Sequence, residues 1–242
     1  MKGATLICMM MVFSSPLGVA QDFKKSYSIA PGGQIVIGTI SGTIKIEGYK
    51  GIAIEVVANK HGVDREQAEI VDRSAGNAID LRVIYPAYNL TRARVDFEIK
   101  VPSNTGYNFR RISTFDGDIE ISRITGGLRA ESVRGNIEIR GVTGLVSASS
   151  HSGNIRVEID QAEGRNNMRF SSISGNVTVL APAELDGLID MSSMSGQLKT
   201  DFPIEIHERR YGPGRSARGR LGQGKQILFM TSVSGMVSLL KK

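Results

Sequence analysis

One short phrase recurs along the chain and constrains its fold more than anything else in it. It reads "GTISGTIKI" from Gly38, "STFDGDIEI" from Ser113, "SVRGNIEI" from Ser132 and "SSHSGNIRV" from Ser149. It returns as "SSISGNVTV" from Ser171, "SSMSGQLKT" from Ser192 and "TSVSGMVSL" from Thr231. Its glycines are Gly42, Gly117, Gly135, Gly153, Gly175, Gly196 and Gly235, spaced by 18, 18, 22, 21 and 39 residues from Gly117 onward. The last interval is close to two periods, so a single repeating unit accounts for most of the chain.

The columns of the repeat show what the unit is. Two and four places after each glycine stand Ile44 and Ile46, Ile119 and Ile121, Ile137 and Ile139, Ile155 and Val157, Val177 and Val179, Leu198 and Thr200, and Val237 and Leu239. Alternation of β-branched residues and leucine predicts a half-buried strand. Before the glycine a second alternating set appears: Leu128, Ala130 and Ser132, then Val146, Ala148 and Ser150, with equivalents at Met168, Ile189, Leu228 and Ile35. Each unit of 18–22 residues is therefore two short strands joined by turns, and one unit cannot bury its apolar face alone. Stacked about 4.8 Å apart, successive units can. The expectation is an all-β, single-domain β-solenoid.

The phrase has local jobs to do in such a stack. Gly reaches positive φ without cost, and Asn or Asp beside it bonds to nearby backbone, so Ser-Gly-Asn reads as a corner. A Cβ at the glycine would meet the adjacent coil. The Ser or Thr three places earlier ends the inward column, where its hydroxyl can bond to the next coil or to the turn backbone.

Between Gly48 and Tyr107 the period breaks, yet strands persist in "IAIEVV" from Ile52, "AIDLRVIYP" from Ala78 and "RVDFEIKVP" from Arg94. The intervening "REQAEIVDRSAGN" suggests a short helix or an irregular connection. Residues 21–107 are thus expected to form an antiparallel β-portion continuous with the coils, 108–242 the regular repeats, and 203–224 a loop interrupting them.

Residues 1–20, "MKGATLICMMMVFSSPLGVA", have a lysine, a short apolar run and small residues at the end. That is the layout of a secretory signal peptide cleaved after Ala20, and the run falls short of the ~20 apolar residues that span a bilayer. Cys8, the single cysteine, lies inside it. The mature chain is then expected to have no disulfide, thiol nucleophile or cysteine metal site, and no transmembrane segment.

The formal charge of +6 suits an exported protein that meets acidic polysaccharide or other envelope components in preference to nucleic acid. Its densest basic run is Arg209, Arg210, Arg215, Arg218, Arg220 and Lys225, in a glycine-rich stretch that reads as a mobile, solvated loop. Arginine grips carboxylate, sulfate and phosphate bidentately, so these six are the candidate anion-binding residues. A second constellation is acidic: Asp116, Asp118 and Glu120 alternate on one coil, with Glu138 and Arg156 stacked beside Glu120 on the next two. Paired carboxylates serve hydrolases and lyases, whereas an exposed face with one cross-strand ion pair is the plainer reading. His61, His151 and His207 fall at unrelated points, no catalytic motif is present, and nothing calls for a metal or cofactor.

In its order of motifs, from Tyr27 to Lys242, the chain resembles the bacterial "putative adhesin" family of exported β-solenoid proteins. The resemblance is carried by "PGGQIVIGTISGTIKIEGYKG", by "VDFEIKVPSN", by the Ser-Gly-Asn run and by "GRLGQGKQILFMTSVSGMVSLLKK". It implies adhesion and carries over no active site. Met236 stands where the pattern leads one to expect Asn or Asp, and departs from it. The expected function is that of a non-enzymatic, adhesion-like or envelope-interaction module. A polysaccharide-acting enzyme using the acidic face, or an accessory protein of envelope regulation, is the alternative.

Overall fold

Each repeat turns one corner, and the strands on its two sides collect into two sheets. The computed structural model describes residues 22–85, 92–160, 167–208 and 213–242. The chain begins with β1 (Phe23–Tyr27), β2 (Gln34–Ser41), β3 (Ile44–Tyr49) and β4 (Ile54–His61), then a single 3-10 turn at Arg65–Gln67. It continues with β5 (Glu69–Asp72), β6 (Ala78–Ile84), β7 (Arg94–Pro102), β8 (Gly106–Asp116) and β9 (Ile119–Ser122). The regular repeats supply β10 (Thr125–Arg134), β11 (Ile137–Arg140), β12 (Val146–Ser150), β13 (Ile155–Glu158), β14 (Asn167–Ser172), β15 (Val177–Ala181), β16 (Gly187–Ser193) and β17 (Leu198–Thr200). Last come β18 (Ile206–Glu208), β19 (Arg215–Leu221), β20 (Gln226–Ser232) and β21 (Val237–Lys241).

The first sheet runs β1-β4-β7-β3-β9-β11-β13-β15-β21-β17, and the second β18-β19-β16-β20-β14-β12-β10-β8-β2-β6-β5. Between β7 and β17 in the first, and between β6 and β16 in the second, every pairing is parallel. The fold is the expected β-solenoid with two strands per coil. Inside it, Phe97, Ile44, Ile119, Ile137, Ile155, Val177, Val237 and Leu198 form one column, all buried. Opposite runs Leu81, Ile37, Ile112, Ala130, Ala148, Phe170, Met230 and Met191.

The order of coils in space is not their order in sequence, which corrects the expectation that successive repeats stack. The C-terminal coil β20/β21 lies between β14/β15 and β16/β17, and β2/β3 lies between β6/β7 and β8/β9. The glycines record this. A Cβ on Gly235 would lie 2.0 Å from the carbonyl oxygen of Gly175, and one on Gly196 would lie 2.0 Å from that of Gly235. Gly117, Gly135, Gly153 and Gly175 press in the same way on Gly42, Gly117, Gly135 and Gly153. The interval of 39 residues arises because β18 and β19 are placed at the end of the second sheet before the chain re-enters the stack as β20 and β21.

Of these seven glycines only Gly42 has positive φ, at 129°. The corner therefore requires glycine for close approach of the backbones, and the positive-φ explanation holds at one position alone. Hydroxyls and amides stitch the same corner. Ser172 Oγ donates to Gly153 O at 2.9 Å and accepts from Gly175 N at 2.9 Å, both bonds buried. Ser150, Ser193 and Ser232 repeat both bonds. Outside them, the side-chain oxygens of Asp118, Asn136, Asn154 and Asn176 accept the backbone N–H of Asn136, Asn154, Asn176 and Met236 in turn. Met236 receives this bond but carries no amide to pass it on.

Antiparallel strands extend both sheets at one end of the stack and the second sheet at the other, blunting those edges. At one end β1 pairs with β4, β4 with β7, and β5 with β6. Asp72 ties the two sheets there, accepting Lys25 Nζ at 2.6 Å, Tyr27 Oη at 2.8 Å and Ser74 N at 2.9 Å. Partial burial pushes the Asp72 carboxyl up, but those donors outweigh it and hold the carboxyl well below the usual range. At the other end β19 pairs antiparallel with β16 and with β18, so the expected mobile loop is instead a hairpin extending the second sheet. Phe202 and Ile204 are buried beside it, closing the interior.

Candidate functional site

The inward residues of every coil are spent on packing, so recognition falls to the outer faces. On the first sheet these are self-neutralising. One row across the strands reads Glu98, Lys45, Glu120, Glu138, Arg156, and the next reads Lys100, Glu47, Ser122, Arg140, Glu158. Arg140 and Glu138 pair closely, Arg156 stands 3.9 Å from Glu138, and Arg123 pairs with Glu47.

The acidic constellation belongs partly to this face and partly to the corner. Glu120 and Glu138 are neighbours across β9 and β11, as the spacing predicts. Asp116, however, ends β8 in the other sheet and faces Arg134 at 3.6 Å. The Asp118 carboxylate accepts Asn136 N at 2.7 Å as the first rung of the corner amides. Asp116, Asp118 and Glu120 therefore do not share one face, because a corner separates the first from the third. His61 sits 3.3 Å from Asp96, His207 3.8 Å from Glu205, and His151 is exposed at a turn. Among the described residues no group of three or more His, Cys, Asp or Glu is placed to hold a metal ion.

Of the six basic candidates, Arg209 and Arg210 lie outside the described residues. Arg215 stands opposite Ser193, in the column that serines fill in other coils. It donates to Glu208 Oε1 at 2.9 and 3.1 Å and to Gly196 O at 3.4 Å, capping the last glycine carbonyl. Arg218 donates to Asp190 Oδ2 at 3.0 Å. Lys225 Nζ is 3.6 Å from Asp186, whose carboxyl is held low by the backbone N–H groups of Lys225 and Gly224. Arg220 is exposed and makes no ion pair with a described residue. The hairpin thus brings Arg218 and Arg220 to the outer face of the second sheet and commits Arg215 to the frame.

A denser basic group, missed in the sequence, lies at the opposite end of that face. The register of β8 slips against both β2 and β10, and this bulge turns the consecutive residues Arg110 and Arg111 both outward. Together with Arg82 and Arg129 they rim an open basin over Val36 and Ala78, with Asp80 and Glu131 as its carboxylates. Glu131 is shared by Arg111 at 3.2 Å and Arg129 at 2.6 Å; Asp80 takes Arg82 at 2.8 Å; among the described residues Arg110 bonds to the neutral Gln34 Oε1, at 3.2 Å. Arg129 is in register with Ser147, then Arg169, then Phe229, then Asp190, then Arg218. Arg169 lies over the Phe229 ring, 4.8 Å from its centre. A signal was present: two successive arginines inside a strand of period two cannot both face water without a bulge.

Against known proteins, the family model described as Toastrack DUF4097 matches residues 34–201. The chain belongs to this family. The matched span excludes the hairpin and the C-terminal coil, although that coil is embedded in the stack of this Toastrack chain. Two solved structures align with most of the chain. One is described as a putative cell adhesion protein from Clostridium sporogenes ATCC 15579, at 12% identity and a TM-score of 0.49, covering 91% of this chain and 99% of that one. The other is described as a putative adhesin from Bacteroides fragilis NCTC 9343, at 11% identity and a TM-score of 0.28, covering 90% and 96%. No curated protein matches.

Proposed function

We propose that this Toastrack chain is an exported, non-enzymatic interaction module of the cell surface or envelope, and that the outer face of its second sheet binds acidic polymers. The observation that carries the reading is the asymmetry between the two outer faces. On the first, both signs are interspersed across the strands and nearly cancel, although Glu120 and Glu138 stand side by side. On the second, Arg110, Arg111, Arg129, Arg169, Arg218 and Arg220 outnumber the carboxylates of Asp80, Glu131 and Asp190 among them. The planar guanidinium fork is pre-organised for bidentate bonds to carboxylate and sulfate.

Export rests on the leader-like layout of residues 1–20, and the interaction role rests on the outer arginine-rich face of a chain of this family. No helix among the described residues is long and apolar enough to cross a membrane. Retention on immobilised polyuronate, eluting as salt rises, is the expected result; passage through the column unretained at low salt contradicts the reading. Mass spectrometry of the exported chain should find Gln21 at its N-terminus.

A further inference from the structure

We infer that the basin at the β8 bulge, and not the C-terminal hairpin, is the primary subsite of that face, and that it takes the carboxylate of one residue of a linear acidic glycan. The inference rests on the proposed binding of acidic polymers and says where and how it occurs.

Three observations point to this end of the sheet. The bulge is a departure from an otherwise regular ladder, and its effect is to aim two adjacent guanidinium groups at the same space. An unbulged strand would bury one of them. Next, the basin holds four arginines against two carboxylates, both already engaged, and Arg110 has a neutral partner that an anion can displace. At the hairpin Arg218 is answered by Asp190 and Arg215 by Glu208 and a carbonyl, which leaves Arg220. Finally, the basin is an open depression whose lining includes the small apolar side chains of Val36 and Ala78 among the arginines. A sugar ring with one carboxylate can enter such a depression, whereas a flat lipid surface meets only its rim.

The direction of the polymer follows from the register. From Arg129 the same row passes Ser147 and reaches Arg169 two strands on, about 10 Å away at the ordinary strand spacing. That is the length scale of an extended disaccharide, so a chain running along the solenoid axis can present alternate acidic groups to Arg129 and Arg169. Ser149 and Ser171 line the adjacent row and offer hydroxyls.

The test compares two double variants of the whole chain by calorimetry on polygalacturonate, its fully methyl-esterified form, and phosphatidylglycerol vesicles. Arg110→Gln with Arg111→Gln should weaken polygalacturonate binding by about tenfold or more, the scale of a lost charge-assisted bond pair. Arg218→Gln with Arg220→Gln should weaken it by no more than about threefold, the scale of exposed, screened charges. The methyl ester, which keeps the backbone and loses the charge, should not bind. All four arginines are exposed, and unchanged thermal midpoints show that the fold is kept. Equal losses in the two variants, a loss confined to the hairpin variant, or binding to vesicles but not to polygalacturonate overturns the basin. Of these, the first two leave polymer binding standing. Failure of the wild-type chain to bind any of the three probes removes the proposed function itself.

Discussion

The two sheets share every coil, every corner and the whole interior, yet their outer faces follow opposite rules. On the first, Lys45 stands between Glu98 and Glu120, and Glu158 beside Arg140, so each charge meets its complement one strand away. On the second, Arg111 and Arg129 are brought onto the same carboxylate, Glu131, and Arg169 rests on an aromatic ring. Exposed ion pairs contribute little to stability, so neither pattern is needed to hold the stack together. The difference teaches that in a solenoid the inside dictates fold while the outside rows are free to carry recognition.

The largest effect should come from breaking the frame on which both faces stand. Gly153→Ala places a Cβ 1.8 Å from the carbonyl oxygen of Gly135, a backbone atom that cannot swing aside. A loss of about 4 kcal/mol or more in urea unfolding is expected, with both faces disrupted together. Ser172→Ala should come next. It leaves Gly153 O and Gly175 N buried without the hydroxyl that serves both, costing about 3 kcal/mol by the same measurement.

A smaller change should uncouple the faces at one end. Asp72→Asn removes the carboxylate that ties β1 of the first sheet to β5 of the second, and should lower the melting temperature at neutral pH by about 2–4 °C. The sign of its pH dependence is fixed. The folded carboxyl titrates below the ordinary Asp value of about 3.9, so its contribution is complete above that value and is lost progressively as pH falls from there through the lower folded pKa. The gap between wild type and variant should therefore narrow below about pH 4, and a gap that widens in acid contradicts the tie.

Much of the frame was legible because its rules are periodic. The alternation at Ile137 and Ile139, the inward Ser172 and the intolerance of Gly153 to a Cβ all follow from stacking identical units, and all are found. The order of the coils was not legible. Gly196 and Gly235 share the same Ser-x-Ser-Gly phrase, and the excursion through β18 and β19 decides which one meets Gly175. Of the seven corner glycines only Gly42 adopts the positive φ that a corner motif predicts, because sequence cannot distinguish a need for positive φ from a need for contact. The basic run at the hairpin drew attention by density along the chain, whereas the basin gathers Arg82, Arg110, Arg111 and Arg129 from three strands. Proximity of that kind depends on register, and the Arg110-Arg111 pair was its one local trace.

The central claim is that position on the second sheet, and not total charge, confers binding. Two triple variants with equal loss of charge decide it: Arg111→Gln, Arg129→Gln and Arg169→Gln on the second sheet, and Lys45→Gln, Arg140→Gln and Arg156→Gln on the first. Titrated with polygalacturonate at low salt, the first set should lose binding by about a hundredfold and the second by less than about threefold. Comparable losses in the two sets would contradict the account.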